Sequence, residues 1–368
     1  MIALDFVGFA MAFAISLVGI LLLEQPSRRL GLVDKPGGRK DHLHATPVTG
    51  GIAITIGALL PLLWLVKPDP AIQGLLVAGA IVMVVGALDD IYDIPWPLRL
   101  IAQIVAALLM SWTGDVHVDH VGLALGLENL VMPWISTPLT VVATVGLINA
   151  LNMADGVDGL AGSQVLASFI MLAAAAVYSG NYELLTVILV FAGAVSGYLT
   201  LNFRAPWGRN ARVFLGNSGS ALLGLVIAWV SFRMTQDAGH PVTPVLAPFL
   251  VAIPVIDCLV LILRRTLKGR SPFDAARDHV HHLMLAAGFS KTALVATLFF
   301  TSLTIGLAAA VARLIGLPTP AFPIIMIVMI AGYFAFSWRD TVAIAFFSRF
   351  VPARGQAAPE QPERPERP

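Results

Sequence analysis

The sequence predicts an all-α polytopic membrane protein with about eleven transmembrane helices, on two observations. Hydrophobic residues make up 57% of the 368 positions and charged residues only 12%, which gives a mean hydropathy of +0.83. Apolar runs of about 16 to 22 residues, the length that crosses roughly 30 Å of hydrocarbon, recur along the whole chain. They lie near residues 3–23, 50–66, 71–88, 99–113, 135–151, 160–179, 184–201, 214–232, 244–263, 292–312 and 320–338.

The distribution of basic residues predicts the orientation of these spans. The first run starts directly after Met1 and has no basic leader, so we expect a first span and not a signal peptide. If successive spans alternate sides, one side receives most lysines and arginines, in loops such as 28–40, 204–212 and 264–291. Because basic residues concentrate in cytoplasmic loops, the N-terminus is predicted outside and the C-terminus in the cytoplasm.

The chain is expected to form one integral-membrane domain over residues 1–340 and a cytoplasmic tail over 341–368. From about residue 352 the tail is rich in proline and charge, so it is predicted to be disordered. The formal net charge of +1 gives no basic field for binding nucleic acid. The single cysteine, Cys258, excludes an internal disulfide.

Three carboxylates lie together in the stretch ALDDIYDIP: Asp89, Asp90 and Asp93. Pro95 disfavours helical geometry at the residue before it, so we expect the third helix to end around these aspartates. Carboxylates at a helix C-terminus oppose the helix dipole and repel one another, and a hard divalent cation with oxygen ligands would compensate them. The alternative is a solvated helix end whose carboxylates pair with neighbouring arginines.

The stretch NALNMADGVDGLAG follows the fifth run and carries two amides and two carboxylates: Asn149, Asn152, Asp155 and Asp158. Each aspartate precedes a glycine, which lets the backbone approach a ligand closely. With no basic residue nearby, these groups suit recognition of a base or a sugar by directional hydrogen bonds. An ordinary Asx-rich turn is the alternative.

The stretch VFLGNSGS opens the eighth run, with Asn217 and Ser218 between two glycines. Backbone N–H groups at a glycine-rich helix N-terminus favour a seat for phosphate. The alternative is a simple helix cap, since the lysine of a P-loop is missing.

A basic loop with histidines, RRTLKGRSPFDAARDHVHHLMLAAGF, follows the ninth run. It carries Arg264, Arg265, His279, His281 and His282. Arginine forks match phosphate oxygens, and histidine donates or shuttles protons, so the loop suits a pyrophosphate clamp. Zinc is the rival interpretation of the histidines.

Two smaller features lie on the same predicted side. Lys40 and His44 belong to a glycine-rich loop that suits phosphate binding or only marks the cytoplasmic side. Asp257 lies inside the ninth run, where a carboxylate is a functional candidate. Its alternative is a structural partner for Arg264, two turns further on the same helix face.

Taken in order, LDDIYD, NALNMADGVDGL, FLGNSGS and SPFDAARDHVHH resemble the motifs of the polyprenyl-phosphate N-acetylhexosamine-1-phosphate transferase family. The resemblance implies a multi-pass enzyme of the bacterial inner membrane whose active site faces the cytoplasm. It implies transfer of a sugar-1-phosphate from a UDP-N-acetylhexosamine to undecaprenyl phosphate, with release of UMP, to begin an envelope glycan. The implied cofactor is Mg²⁺, or Mn²⁺ in its place, and the DHVHH arrangement is similar to the N-acetylglucosamine branch.

The resemblance also implies roles for single residues. The expected catalytic residues are Asp89, Asp90, Asp158, His279, His281 and His282. The expected substrate-binding residues are Asn149, Asn152, Asp155, Phe214, His44, Lys40, Arg264 and Arg265, with Phe214 stacking on uracil. The expected metal ligands are Asp89, Asp90 and Asn217.

Asn217 departs from the family pattern, which usually has an aspartate after this glycine. Asparagine offers a carbonyl oxygen but no charge, so Mg²⁺ should bind more weakly or depend more on Asp89 and Asp90. We favour an active enzyme with altered metal demand, because every other motif position is filled. The other hypothesis is a weakly active member of the family.

A transporter or lipid flippase is the alternative from another class of protein, with Asp257 and the aspartates relaying ions. It predicts carboxylates near the membrane midplane and repeated halves. Here the clusters share one predicted side, and the sequence shows no repeat. The expected partners are the nucleotide sugar, the lipid phosphate and the bilayer, with no nucleic acid and with a homodimer left open.

Overall fold

The structure is a computed structural model that describes residues 2–34, 45–121, 133–203, 210–236, 242–271 and 278–351. A pair of short antiparallel strands, β1 (Val33–Asp34) and β2 (Thr46–Pro47), precedes the second helix. The helices are α1 Ile2–Leu30, α2 Gly50–Leu65, α3 Pro70–Tyr92, α4 Trp96–Gly114, α5 Pro133–Ala154, α6 Leu160–Ser179, α7 Tyr182–Asn202, α8 Gly216–Gln236, α9 Ala247–Leu250, α10 Ala252–Leu267, α11 Val280–Ala286, α12 Lys291–Leu314, α13 Ala321–Ser337 and α14 Asp340–Phe347.

These helices form an all-α polytopic membrane protein. Eight described helices are long and apolar enough to cross a membrane, and two bent pairs raise the number to at most ten. One pair bends by 86° where α9 meets α10, and the other bends by 96° where α13 meets α14. The remaining predicted run corresponds to α2, whose 16 residues fall below the usual spanning length of about 20.

Helix α8 lies at the centre of the bundle. Nearly its whole length is buried, and it packs against α2, α3 and α5. Trp229, which is 2% exposed, donates its ring N–H to the carbonyl oxygen of Ala71 in α3 at 3.1 Å. Because α8 has neighbours along its length, its apolar residues face protein and its N-terminus is held in a fixed position.

Two glycines allow α2 and α3 to approach the first turn of α8. A Cβ atom on Gly51 in α2 would lie 2.6 Å from Ser218 Oγ, and one on Gly86 in α3 would lie 2.5 Å from Ser218 Cα. Interiors are close-packed, so neither position has room for a side chain. The first turn of α8 therefore packs directly between the backbones of α2 and α3.

The packed structure continues beyond α13. Phe347 at the end of α14 makes an edge-to-face contact with Phe289, with ring centroids 6.2 Å apart. Helix α14 thus packs on the segment that carries the histidines. The tail from residue 352, predicted to be disordered, lies outside the described residues.

We predict that Gly86→Ala destabilises the protein by about 1 to 3 kcal/mol, because the added methyl group overpacks the contact with α8. The measurement is the midpoint of thermal unfolding in detergent. Gly332→Ala is the matched control, since a Cβ at this position in α13 meets nothing within 4 Å. Equal midpoints for the two variants would contradict the role given to Gly86.

Candidate active site

The end of α3 confirms the effect predicted for Pro95. The helix stops at Tyr92, and Asp93 adopts a left-handed backbone with φ of 52°. The Asp93 N–H donates to the Asp89 carbonyl oxygen at 2.9 Å, which closes the helix. Asp89 is buried, whereas Asp93 is exposed. Within the cluster, Asp89 therefore faces the protein and Asp93 faces solvent.

Both oxygens of Asp89 have partners within the protein. Its Oδ1 accepts the N–H of Ile94 at 2.7 Å, and its Oδ2 accepts from Arg99 at 2.8 Å. Arg99 lies in the first turn of α4, directly after the bend that Pro95 introduces. The arginine-pairing alternative therefore describes Asp89, whose negative charge is balanced by Arg99.

Asp90 caps the N-terminus of α8. Its Oδ1 accepts the N–H of Asn217 at 2.8 Å, and its Oδ2 accepts from Ser218 Oγ at 3.0 Å and from Ser218 N–H at 3.3 Å. The positive end of the helix dipole favours an anion here. The prediction that these N–H groups seat a phosphate is therefore wrong, because the carboxylate of Asp90 already occupies them.

The end of α5 is joined to the same turn of α8. The Asn152 amide donates to Asn217 Oδ1 at 2.7 Å and to Ser220 Oγ at 3.1 Å. The amide orientations follow from this network, since nitrogen and oxygen are assigned by their partners. Asn152, Asp90 and Asn217 consequently meet at one point.

The loop after α5 brings two further carboxylates to this point. Burial raises the pKa of Asp155 to about 7, and the negative charges of Asp90 and Asp158 add to the rise. Asp158 Oδ2 lies 3.5 Å from Lys291 Nζ, at the start of α12. Lys291 therefore offsets the charge of Asp158 but is not paired with Asp155.

Asn202 fixes the loop to the segment before α8. The Gly159 N–H donates to Asn202 Oδ1 at 2.6 Å, and the Asn202 amide donates to the Val213 carbonyl oxygen at 2.8 Å. Gly159 has a φ of 81°, a backbone conformation that favours glycine. The conformation of the second Asp-Gly step is thus maintained by a buried asparagine at the end of α7.

A cavity of about 730 Å³ opens among these elements. The predicted site residues that line it are Asp89, Asp90, Asn152, Asp155, Asp158, Phe214, Asn217 and His282. Asn149 lies instead at a smaller neighbouring cavity, where it donates to Gln103 Oε1 at 2.7 Å. Lys40 and His44 lie outside the described residues.

The three histidines form a cluster, but only His282 lines the cavity. The rings of His281 and His282 have centroids 4.2 Å apart, and those of His279 and His281 are stacked at 5.2 Å. Burial lowers the pKa of His281 to about 3, and the charges of His282 and His279 lower it further. His281 is therefore neutral near pH 7 and packs on Gly156, where a Cβ atom would lie 2.6 Å from its Nε2.

The two arginines predicted to bind substrate do not line the cavity. Arg265 contacts Asp278 Oδ1 at 2.6 Å, and Arg264 contacts Asp278 Oδ2 at 3.0 Å and Asp340 Oδ1 at 3.1 Å. Burial alone would raise the pKa of Asp278, but the hydrogen bonds and charges of Arg265 and Arg264 outweigh it and lower that pKa. The prediction that these arginines clamp a pyrophosphate is therefore corrected. The two guanidinium groups hold the histidine segment instead.

Asp257 does not pair with Arg264, so that alternative is also corrected. Its carboxylate is buried in α10 and lies 2.9 Å from Nδ1 of His279. The hydroxyl of Tyr333 in α13 donates to its other oxygen at 2.7 Å. The partners come from two distant segments because α10 lies between them.

The donor groups of the cavity favour a hard cation over zinc. Within the described ranges, no group of three histidine, cysteine, aspartate or glutamate side chains has the geometry to hold a metal ion, so the zinc interpretation gains no support. Asp90, Asp155 and Asn217 all line the cavity and offer carboxylate and amide oxygens as ligands. Mg²⁺ commonly binds one or two carboxylates and completes its shell with water and substrate phosphates, and these residues fit that requirement.

Two basic residues of the site, Arg99 and Lys291, were not predicted as site residues. Arg99 follows the aspartate cluster at a helix start, and Lys291 follows the histidine segment by one short loop. The available signal was a basic residue that follows the aspartate motif, and another that follows the histidine motif, by several positions. Asn202 had no such signal, since its two bonds join positions far apart in sequence.

Comparisons with known proteins agree with this geometry. Residues 72–235 match the glycosyl transferase family 4 profile. The undecaprenyl-phosphate alpha-N-acetylglucosaminyl 1-phosphate transferase of Yersinia pestis is 33% identical over 76% of each chain, and that of Escherichia coli K12 is 32% identical over the same share. The transferase of the same name from Haemophilus influenzae is 35% identical over 78% of this chain and 79% of its own. The chain therefore belongs to glycosyl transferase family 4, alongside these bacterial sugar-phosphate transferases.

Proposed function

We propose that the protein transfers N-acetylhexosamine 1-phosphate, in the first instance N-acetylglucosamine 1-phosphate, from a UDP-sugar to undecaprenyl phosphate and so begins an envelope glycan. The observation that carries the proposal is one cavity lined by residues of three separate motifs, Asp90, Asp155 and His282, in a chain similar to undecaprenyl-phosphate alpha-N-acetylglucosaminyl 1-phosphate transferases. A phosphate oxygen of the lipid forms a bond to the β-phosphorus. The bond from that phosphorus to the bridging oxygen breaks, and UMP leaves with the electron pair.

Charge compensation is the first requirement of this reaction, because the two reactants are both anions. Arg99 and Lys291 form ion pairs with two carboxylates of the cavity, at 2.8 Å and 3.5 Å. They balance Asp89 and Asp158, but neither is paired with Asp155. We propose that Asp90, Asp155 and Asn217 hold Mg²⁺, which when bound would neutralise the developing charge on the transferred phosphoryl group.

Nucleotide recognition is assigned to Phe214, Asn152 and the turn after α5. Phe214 lines the cavity and offers an aromatic face on which uracil can stack. Asn152 already donates to Asn217, so it orients the site as well as reaching the nucleotide. Gly156 and Val157 of the turn that follows also line the cavity, and we propose that this turn contacts the ribose.

The lipid chain needs an apolar path that ends at the phosphates. A second cavity of about 580 Å³ lies among α5, α8, α10 and α13 and is lined by residues such as Leu147, Phe249, Leu259 and Met326. Helix α5 forms a wall of both cavities, since Leu147 lines this one and Asn152 lines the polar one. The prenyl tail of the acceptor fits here, with its phosphate directed to the end of α5.

The membrane topology of this proposal is that of a bacterial inner-membrane enzyme. Eleven crossings result if α2 and both bent pairs each cross the bilayer. An outside N-terminus then places the ends of α3, α5 and α10 in the cytoplasm, where nucleotide sugars are made. The basic loops near Arg99, Arg270 and Lys291 lie on that side, as the positive-inside rule requires.

Cysteine labelling tests the orientation. The only native cysteine, Cys258, is buried, so Cys258→Ser provides a background for single exposed cysteines. In intact cells, a membrane-impermeant maleimide should label Asp115→Cys, and label Arg270→Cys only after the membrane is opened. Both native residues are exposed. Labelling of Arg270→Cys from outside would reverse the proposed topology.

Removal of the α8 cap should abolish turnover. Asp90→Asn halves the acceptor oxygens that bind the two N–H groups of α8 and removes a charge from the metal site. We expect kcat to fall by about 100-fold or more, as when a preorganised polar group is removed. The measurement is UMP release from UDP-N-acetylglucosamine with undecaprenyl phosphate in detergent.

Asp115→Asn is the matched control for this variant. Its side chain is 93% exposed, and its left-handed backbone is one that asparagine tolerates. It should retain full activity and an unchanged unfolding midpoint. A folded, fully active Asp90→Asn protein would remove Asp90 from the mechanism.

Asn217→Asp should lower the Mg²⁺ concentration needed for half-maximal activity by roughly tenfold, the effect of about 1.4 kcal/mol of added attraction. The added carboxylate can still accept the hydrogen bond from Asn152. Asn181→Asp, a conservative change at the N-cap of α7, is the control and should leave the requirement unchanged. Chelation by EDTA should stop UMP release in all three proteins.

The outcomes of this titration separate the hypotheses about Asn217. Equal Mg²⁺ requirements for wild type and Asn217→Asp would place Asn217 away from the metal. Release by the variant alone would mean that the natural asparagine makes a weakly active enzyme. Release by neither protein, with any UDP-N-acetylhexosamine, would reject the proposed reaction.

A further inference from the structure

Asp257 receives hydrogen bonds from two separate segments, the start of α11 and α13. One oxygen lies 2.9 Å from His279 Nδ1. The other accepts the N–H of Val280 at 3.0 Å and the hydroxyl of Tyr333 at 2.7 Å. The carboxylate is buried within α10, 7% exposed, and all three donors reach it from outside that helix.

The contact with Asp257 determines which ring nitrogen of His279 carries the proton. A backbone N–H can only donate, and an ionised carboxylate can only accept. The short contact to Asp257 therefore requires a proton on Nδ1 of His279, which leaves Nε2 as the nitrogen available to other groups. The carboxylate thus fixes both the rotamer and the tautomer of this ring.

The same carboxylate caps the helix that carries the other two histidines. Val280 is the first residue of α11, and the side chain of the N-cap residue makes no capping bond. Asp257 supplies the missing acceptor from α10. Because His281 and His282 follow within the first turn of α11, their positions depend on this bond.

The segment is held to α10 at three consecutive positions. Asp278 is bound by Arg264 and Arg265, and His279 and Val280 are bound by Asp257. The ring of His281 packs on Gly156 beside Asp155, and His282 lines the cavity. A displacement at Asp257 would therefore be transmitted to the wall that faces the substrate.

We infer that Asp257 is a positioning residue for the transfer reaction: it orients His279 and places His282 at the cavity without touching substrate itself. The inference rests on the proposed function, because it assigns the histidine wall to catalysis. Tyr333 supports the carboxylate from α13.

Asp257→Asn is the decisive variant. Its amide oxygen can still accept from Val280 and Tyr333, but its NH₂ group would face Nδ1 of His279 and force the ring proton to Nε2. We expect kcat for UMP release to fall about 10- to 100-fold, the range found when the carboxylate behind a functional histidine is removed in metal sites. KM for the UDP-sugar and the unfolding midpoint should change little, which a purely structural defect would not produce.

Two comparison variants sharpen the result. Tyr333→Phe keeps the pair of Asp257 and His279, so kcat should stay within about tenfold of wild type, the effect of one lost hydrogen bond. Ser302→Ala removes another buried hydrogen bond, from Ser302 to Gln164 at 2.5 Å, and should leave kcat unchanged. An Asp257→Asn enzyme as active as Ser302→Ala would overturn the inference.

Nitrogen-15 NMR of histidine-labelled wild type provides a second test that does not depend on the folding of Asp257→Asn. The resonances that disappear in His279→Gln should report a protonated Nδ1 in the wild-type protein. An unprotonated Nδ1 would overturn the inference even if Asp257→Asn failed to fold. Wild-type protein without lipid-dependent UMP release would reject the proposed function, while the NMR result would still decide the Asp257 pairing.

Discussion

The capping of α8 by Asp90 is the interaction on which the rest of the site depends. The carboxylate comes from the C-terminal turn of α3, where the helix dipole disfavours an anion, and it is stabilised by the N-terminus of α8, where the dipole favours one. Gly51 and Gly86 allow this approach, because any side chain there would separate the helices. Once α3 and α8 are joined in this way, Asn217 must lie beside Asn152, and the loop with Asp155 closes against both.

The balance of charge in the cavity follows from this arrangement. Asp89 and Asp158 each have a basic partner, Arg99 and Lys291. Asp90 has only the partial charges of a helix end, and Asp155 is raised in pKa by its burial and by its neighbours. Asp90 and Asp155 thus lie together without a basic partner in the described part of the chain, and a pKa of about 7 means that the carboxyl group of Asp155 is partly protonated at neutral pH. The proposed divalent cation would offset the charge of these carboxylates and the repulsion between the two anionic substrates.

The sequence predicted the elements of this site better than their pairing. Pro95 and the apolar pattern were sufficient to locate the end of α3, because both act locally. The partners of Arg264 and Arg265 were not predictable, since the loop contains several cations and the sequence does not show which of them is buried on Asp278. The same holds for Asp257, whose true partner, His279, lies 22 positions away. Burial decides such pairings, and burial is a property of the packed bundle.

Buried ionic groups also explain why the histidine segment has so many partners. A desolvated charge is costly unless it is paired and hydrogen-bonded, and well-packed apolar residues often give equal or greater stability. The set of Asp257, Arg264, Arg265 and Asp278 is therefore a poor means of stabilising a helix pair, although it is well suited to fixing direction. Each of its bonds is directional, and together they restrict three consecutive residues ahead of His281. Apolar packing of α10 against α13 could hold the helices together equally well. It would not, however, fix the rotamers and tautomers of the imidazole rings.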